Sequence, residues 1–237
     1  MMDVRCSFVF LNSHLCCDYY YFTQSLNHSL TQSIIPGAVP EDYFATGEHL
    51  ASHGFAAIYT PMRPWDVTRG LDYCRDGTIE EDIPALHSLV NASRLGVGGH
   101  SGGGPYAVHA ASGVEDVNVI ITQHAASIPV LNKQSDETMH ALKGDLMVLC
   151  GTEDSMPFCD CPRVEEDYYG RAPLGRAIVK VPDGHVDGAC LQSGETNEAG
   201  YITAMLYYGL RGETDAATAI SQGKNDDIIT VDFDHVE

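Results

Sequence analysis

From residue 34 onward the chain repeats one rhythm, a short apolar run that closes on glycine or proline and is followed by an amphipathic stretch. The runs are Phe55 to Tyr59, Arg94 to Gly98, Val117 to Thr122, Leu146 to Cys150 and Ala177 to Val181. Strands that alternate with helices imply a parallel sheet and an α/β fold. Four helices can be read between them. The first takes Pro40-Glu41-Asp42 as its opening turn, carries Tyr43, Phe44, Gly47, Leu50 and Ala51 on one face, and stops at Gly54. Thr78-x-x-Glu81 has the form of a capping box for a helix presenting Ile79, Ile83, Leu86 and Val90, with Pro84 disturbing its first turn. Gly103 to Ala111 is a helix of small residues, and Ile202, Met205, Leu206 and Leu210 share one face of a last helix closed by Gly212. The segment with the single tryptophan, Trp65, reads as a polar loop.

Residues 1–33 stand outside this rhythm. Cys6 to Leu11 and Tyr19 to Phe22 have strand composition, but Ser25 to Ser33 is polar just where a strand should lead into Pro36-Gly37. The expected organisation is therefore an atypical segment 1–33, one α/β domain 34–222 and an acidic tail 223–237.

The 237 residues carry a net charge of -20, which repels polyphosphates and argues against nucleic acid as a partner. No apolar run approaches the roughly 20 residues of a membrane-spanning helix. The first 15 residues show no secretory cleavage pattern, so the cytoplasm is favoured while the compartment stays open. Eight cysteines without a Cys-x-x-Cys pair argue against a structural metal and permit disulfides without requiring them.

The chemistry concentrates at Arg94-Leu-Gly-Val-Gly-Gly-His100-Ser101-Gly102-Gly103-Gly104, where a strand runs through Gly-x-Ser-x-Gly into a small-residue helix. A nucleophile on so tight a turn has a strained backbone, and side chains at the flanking positions would collide with the strand and helix. Serine needs a histidine to take its proton, and that histidine needs a carboxylate to fix its tautomer. With the order Ser, acid, His along the chain, the downstream candidates are Asp154, in Gly151-Thr152-Glu153-Asp154, and His185, in Pro182-Asp183-Gly184-His185. Glu153 and Asp160 are rivals for the acid. His124 follows a strand end, where it could line a pocket beside His100, but it precedes the acid.

Pro36-Gly37-Ala38, His49-Leu50-Ala51-Ser52-His53-Gly54-Phe55, the serine turn, Cys150-Gly151-Thr152-Glu153-Asp154-Ser155 and Gly184-His185 together resemble α/β-hydrolases of the cutinase, polyester hydrolase, chlorophyllase and dienelactone hydrolase group. The resemblance runs from about residue 34 to 212. It implies a mostly parallel sheet flanked by helices, Ser101, His185 and Asp154 as the catalytic triad, and an oxyanion hole from the Gly102 and Ala38 N–H groups. His100 and His124 would then line the substrate site. No cofactor or metal is implied, and the substrate would be a small-molecule or lipid-like ester.

Two departures narrow the substrate: Ala38 stands where polyester hydrolases have an aromatic residue, and no tryptophan occurs at Gln123 to Ala125. Both argue against an aromatic polymer and are compatible with a smaller or aliphatic ester. Cys159 and Cys161 sit in the acid loop and Cys190 follows His185, so a bridge to Cys190 would tie the two loops together; three free thiols are the alternative. Two other functions compete. An inactive relative could bind a small ligand or a partner. A dinucleotide-binding module is suggested by Gly102-x-Gly104-x-x-Ala107, but the next strand ends in Gln123-His124 instead of the ribose-binding acid.

Overall fold

The structure, a computed structural model, describes residues 6–11, 44–60, 64–83, 90–127, 135–173, 175–185, 197–222 and 230–234. In chain order the elements are β1 (Cys6–Leu11), α1 (Phe44–Ser52), β2 (Phe55–Thr60), α2 (Pro64–Arg75), α3 (Thr78–Asp82), β3 (Leu95–His100), α4 (Gly103–Ala111) and β4 (Val117–Gln123). There follow α5 (Asp136–His140), β5 (Asp145–Gly151), α6 (Cys161–Asp167), β6 (Arg176–Val181), α7 (Asn197–Arg211), α8 (Thr214–Gln222) and β7 (Thr230–Asp234). The strands form one sheet in the order β2-β1-β3-β4-β5-β6-β7. Every pairing is parallel except that of β6 with β7.

The central strands show why the apolar runs are continuous. Leu146, Val148 and Cys150 of β5 pack into one core cluster while Met147 and Leu149 pack into the other. Side chains alternate across a strand, so a sheet buried on both faces needs apolar residues at every position. The first core lies under α2, α4, α5 and α6, with Val67, Leu71, Val108, Met139 and Val164. The second lies under α1, α7 and α8, with Leu50, Ile202, Met205, Leu206 and Ile220. This is an α/β fold with a helical layer on each side.

Four expectations change. The strand between β2 and β3 is Cys6–Leu11, so part of segment 1–33 occupies the sheet interior; Tyr19 to Phe22 and Pro36-Gly37 lie outside the described residues. The Trp65 segment is helical, because Pro64 suits a first helical position and Val67, Leu71 and Cys74 recur on one buried face. The capping oxygen ahead of α3 belongs to Asp76, which accepts from the Thr78 N–H at 2.9 Å. Thr230–Asp234, within the tail, is the antiparallel edge strand. Among the described residues, no helix is long and apolar enough to cross a membrane.

The strand order places β1 and β3 side by side, with later strands added outward from β3 and β2 on the far side of β1. Such a reversal opens a crevice beyond the carboxyl ends of the strands. Ser101 follows the last residue of β3 and so lies at this point.

Candidate active site

Ser101 has φ +55, a left-handed backbone that a serine holds only when its surroundings enforce it. Its N–H donates to Gln123 O at 3.0 Å, and its carbonyl accepts from Gly104 N at 3.1 Å and Ala126 N at 2.8 Å. The glycine two residues earlier is required by close approach, since a Cβ on Gly99 would run into the backbone carbonyl of Gly103. Gly102 then caps α4, and among the described residues its N–H has no backbone acceptor. That N–H sits at the positive end of a nine-residue helix, a favourable place for developing negative charge.

Ser101 Oγ lies 2.8 Å from His185 Nε2, and His185 Nδ1 lies 2.8 Å from Asp154 Oδ2. The three side chains come from the loops after β3, β5 and β6, in the order read from the sequence. The loops of β5 and β6 are laced together by Thr152 N donating to Val181 O and Glu153 N donating to Asp183 O. Gly151 permits this approach, because a Cβ there would collide with the Asp183 carbonyl and come within 2.7 Å of the His124 ring. His185 is half-buried, whereas Asp154 is buried and its Oδ1 accepts from Met156 N at 2.9 Å. Burial raises the Asp154 carboxyl, but the His124 ring 3.4 Å away and the hydrogen bonds from His185 and Met156 outweigh this and hold it well below the usual range.

The rival acids are occupied or remote from this line. Asp160 is the N-cap of α6, accepting from Arg163 N at 3.3 Å, and Glu153 is exposed. Cys159 is a free, buried thiol. Burial and the neighbouring Asp154 and Asp160 push it up to about 12, so at neutral pH it stays a thiol. Asp154, Cys159 and His185 are also the group of metal-capable side chains that comes together among the described residues, but Asp154 and His185 already bond to each other.

His100 and His124, read from the sequence as lining the substrate site, are both fully buried. His100 Nε2 donates to the carbonyl of His185 at 2.9 Å, and burial, then the nearby His185 and His124, pushes its ring down to about 3. His124 turns toward Glu198, which the sequence reading did not single out. Of the two alternatives left open for the cysteines, a bridge to Cys190 or three free thiols, neither holds at Cys161, which pairs with Cys150, while Cys159 is free. Cys190 and Ala38 lie outside the described residues. The bridge that does exist closes the loop carrying Asp154 and Cys159 on itself, joining the end of β5 to the start of α6. The only exposed large apolar side chains among the described residues, Met156 and Phe158, project from this loop at 46% and 45% exposure.

Neither the protein-family models nor the curated proteins with which the chain was compared give a match.

Proposed function

We propose that the protein is a serine hydrolase of the α/β-hydrolase type, cleaving carboxylic esters through an acyl-enzyme. The observation that carries this reading is the unbroken line from Ser101 Oγ through both nitrogens of His185 to Asp154, each link 2.8 Å, starting from a serine strained at a strand-to-helix turn. Ser101 Oγ attacks the ester carbonyl carbon while its proton passes to His185 Nε2. The resulting oxyanion is met by the Gly102 N–H and, by the resemblance, the Ala38 N–H; one such donor is worth about 3 kcal/mol. The tetrahedral intermediate collapses, the ester C–O bond breaks, and the leaving alkoxide takes the proton from His185. Water then repeats the cycle on the acyl-enzyme, giving the acid and restoring the serine. Asp154 keeps the second proton on Nδ1 and stabilises the imidazolium that forms in each half.

Met156 and Phe158 beside the acid favour a substrate with an apolar acyl or alcohol group. The net charge of -20 disfavours multiply anionic esters. Aliphatic p-nitrophenyl esters from acetate to octanoate test the reading. Turnover that rises with chain length and drops by a factor on the order of 10⁶ in Ser101→Ala is expected. An inert wild-type protein, or unchanged turnover in folded Ser101→Ala, contradicts it.

A further inference from the structure

Behind Asp154 lies a second histidine–carboxylate pair that the mechanism above does not use. His124 closes β4 with φ +44 and is fully buried. Its Nε2 lies 2.8 Å from Glu198 Oε1, and its Nδ1 is 3.4 Å from Asp154 Oδ2, the oxygen that also meets His185. Glu198, in the first turn of α7, is itself fully buried, and its other oxygen accepts from Gln123 Nε2. The cluster thus draws on three separate parts of the chain.

We propose that the Glu198–His124 pair is a positioning device for the acid, in which Glu198 aims the His124 ring at Asp154 and so fixes the oxygen that Asp154 presents to His185. The kinetic part of this inference rests on the hydrolase reading, while its spectroscopic part does not.

A buried carboxylate without a compensating charge is costly, and removing one member of a buried pair leaves its partner in that condition. Around His124 stand Asp154 from the acid loop, Glu198 from α7, neutral His100 from β3 at a ring separation of 6.1 Å and His185 at 6.2 Å. Burial opposes charge on the His124 ring, but the Glu198 carboxylate, and Asp154 with it, overcomes this and raises the ring to about 10. Two carboxylates and one imidazolium then leave a single negative charge facing His185. That charge is neutralised when His185 takes the serine proton. Without the pair, Asp154 would lose its fixed neighbour on Oδ2.

The test uses the whole protein, ¹⁵N-labelled, and reads its histidine rings by NMR alongside kinetics. In the wild type His124 should carry protons on both nitrogens from pH 6 to 9. In Glu198→Gln, which keeps shape and hydrogen bonds but removes the charge, that signature should vanish at neutral pH and the His185 Nδ1 proton resonance should shift. The same variant should lower kcat about tenfold with KM within about twofold, as lost support behind a reacting group does. His124→Asn, chosen because asparagine tolerates positive φ, should show the same kcat loss and the same His185 Nδ1 resonance shift. A neutral His124 ring in the wild type at pH 7 overturns the proposal. So do folded Glu198→Gln and His124→Asn proteins with unchanged kcat and His185 resonance. If no ester is turned over at all, the hydrolase reading fails while the ring spectra still decide whether the pair is charged and coupled to His185.

Discussion

The carboxyl ends of β3 and β4 are built alike and behave differently. Each buries a histidine completely, His100 or His124, and each turns at a residue with positive φ, Ser101 at +55 or His124 itself at +44. At the end of β3 the ring meets a backbone carbonyl, so burial prevails and His100 is pushed down to about 3. At the end of β4 the ring meets Glu198 and Asp154, and carboxylates outweigh burial, raising His124 to about 10. The same local device thus yields a neutral prop under the His185 loop in one strand and a buried cation behind Asp154 in the next. What stands opposite the ring decides which, and that is fixed by long-range packing.

Asp154 is the group that both strand ends share through His185 and His124, so changing it tests the comparison most severely. Asp154→Asn should lower kcat by a factor on the order of 10⁴ with little change in KM, because the imidazole is left in the wrong tautomer. Glu153→Gln and Asp160→Asn should each stay within about threefold of wild type on the same assay, given an exposed side chain and a helix cap. A crippling effect at Asp160 would move the acid and detach His124 from the site.

A smaller effect is expected from the bridge that closes the Asp154 loop. Opening Cys150–Cys161, by reduction or by a double change to alanine, should cost about 2 to 3 kcal/mol of stability for a loop of this size. It should reduce turnover several-fold by loosening Asp154, while the His100 side of the site stays intact. Urea unfolding with and without reductant measures the first quantity. Equal midpoints would mean that the bridge contributes nothing to holding the acid.

The smallest effect separates the two histidines by pH. The folded His100 resists protonation down to about 3 while an unfolded histidine accepts a proton near 6.5, so its contribution is full above about 6.5 and is lost as pH falls toward 3. For His124 the folded value is raised, so its contribution is full below about 6.5 and is lost as pH climbs toward 10. Denaturation midpoints of His100→Asn should fall off less on the acid side, and those of His124→Asn less on the alkaline side. Both variants losing stability evenly across pH would erase the distinction.

Much of this was legible in the sequence, for physical reasons that differ from element to element. β2 to β6 are apolar over most of their length because both faces of the sheet are covered, and Gly-x-Ser-x-Gly is written into the chain because Gly99 and the Gly103 carbonyl nearly touch. The order of Ser101, Asp154 and His185 follows from strands that present their loops at one edge. The helix Pro64–Arg75 reads in the sequence as a polar loop although Val67, Leu71 and Cys74 recur at helical spacing, and Thr230–Asp234 reads as part of an acidic tail although Val231 and Phe233 alternate with polar residues. Glu198 was not legible. An acid in the first turn of a helix ordinarily serves the helix dipole from the surface, and only the packing of α7 across β4 and β5 turns it inward. The pairing of Cys150 with Cys161 likewise depends on where α6 starts relative to β5, and an even count of cysteines carries no such information.

The central claim, that Ser101 is a nucleophile activated by His185, is tested most directly by covalent labelling. A fluorophosphonate probe followed by peptide mass spectrometry should place one adduct on Ser101, formed far more slowly in Asp154→Asn and absent from Ser101→Ala. An unlabelled Ser101, or an adduct found instead on Cys159 or another serine, would contradict the account.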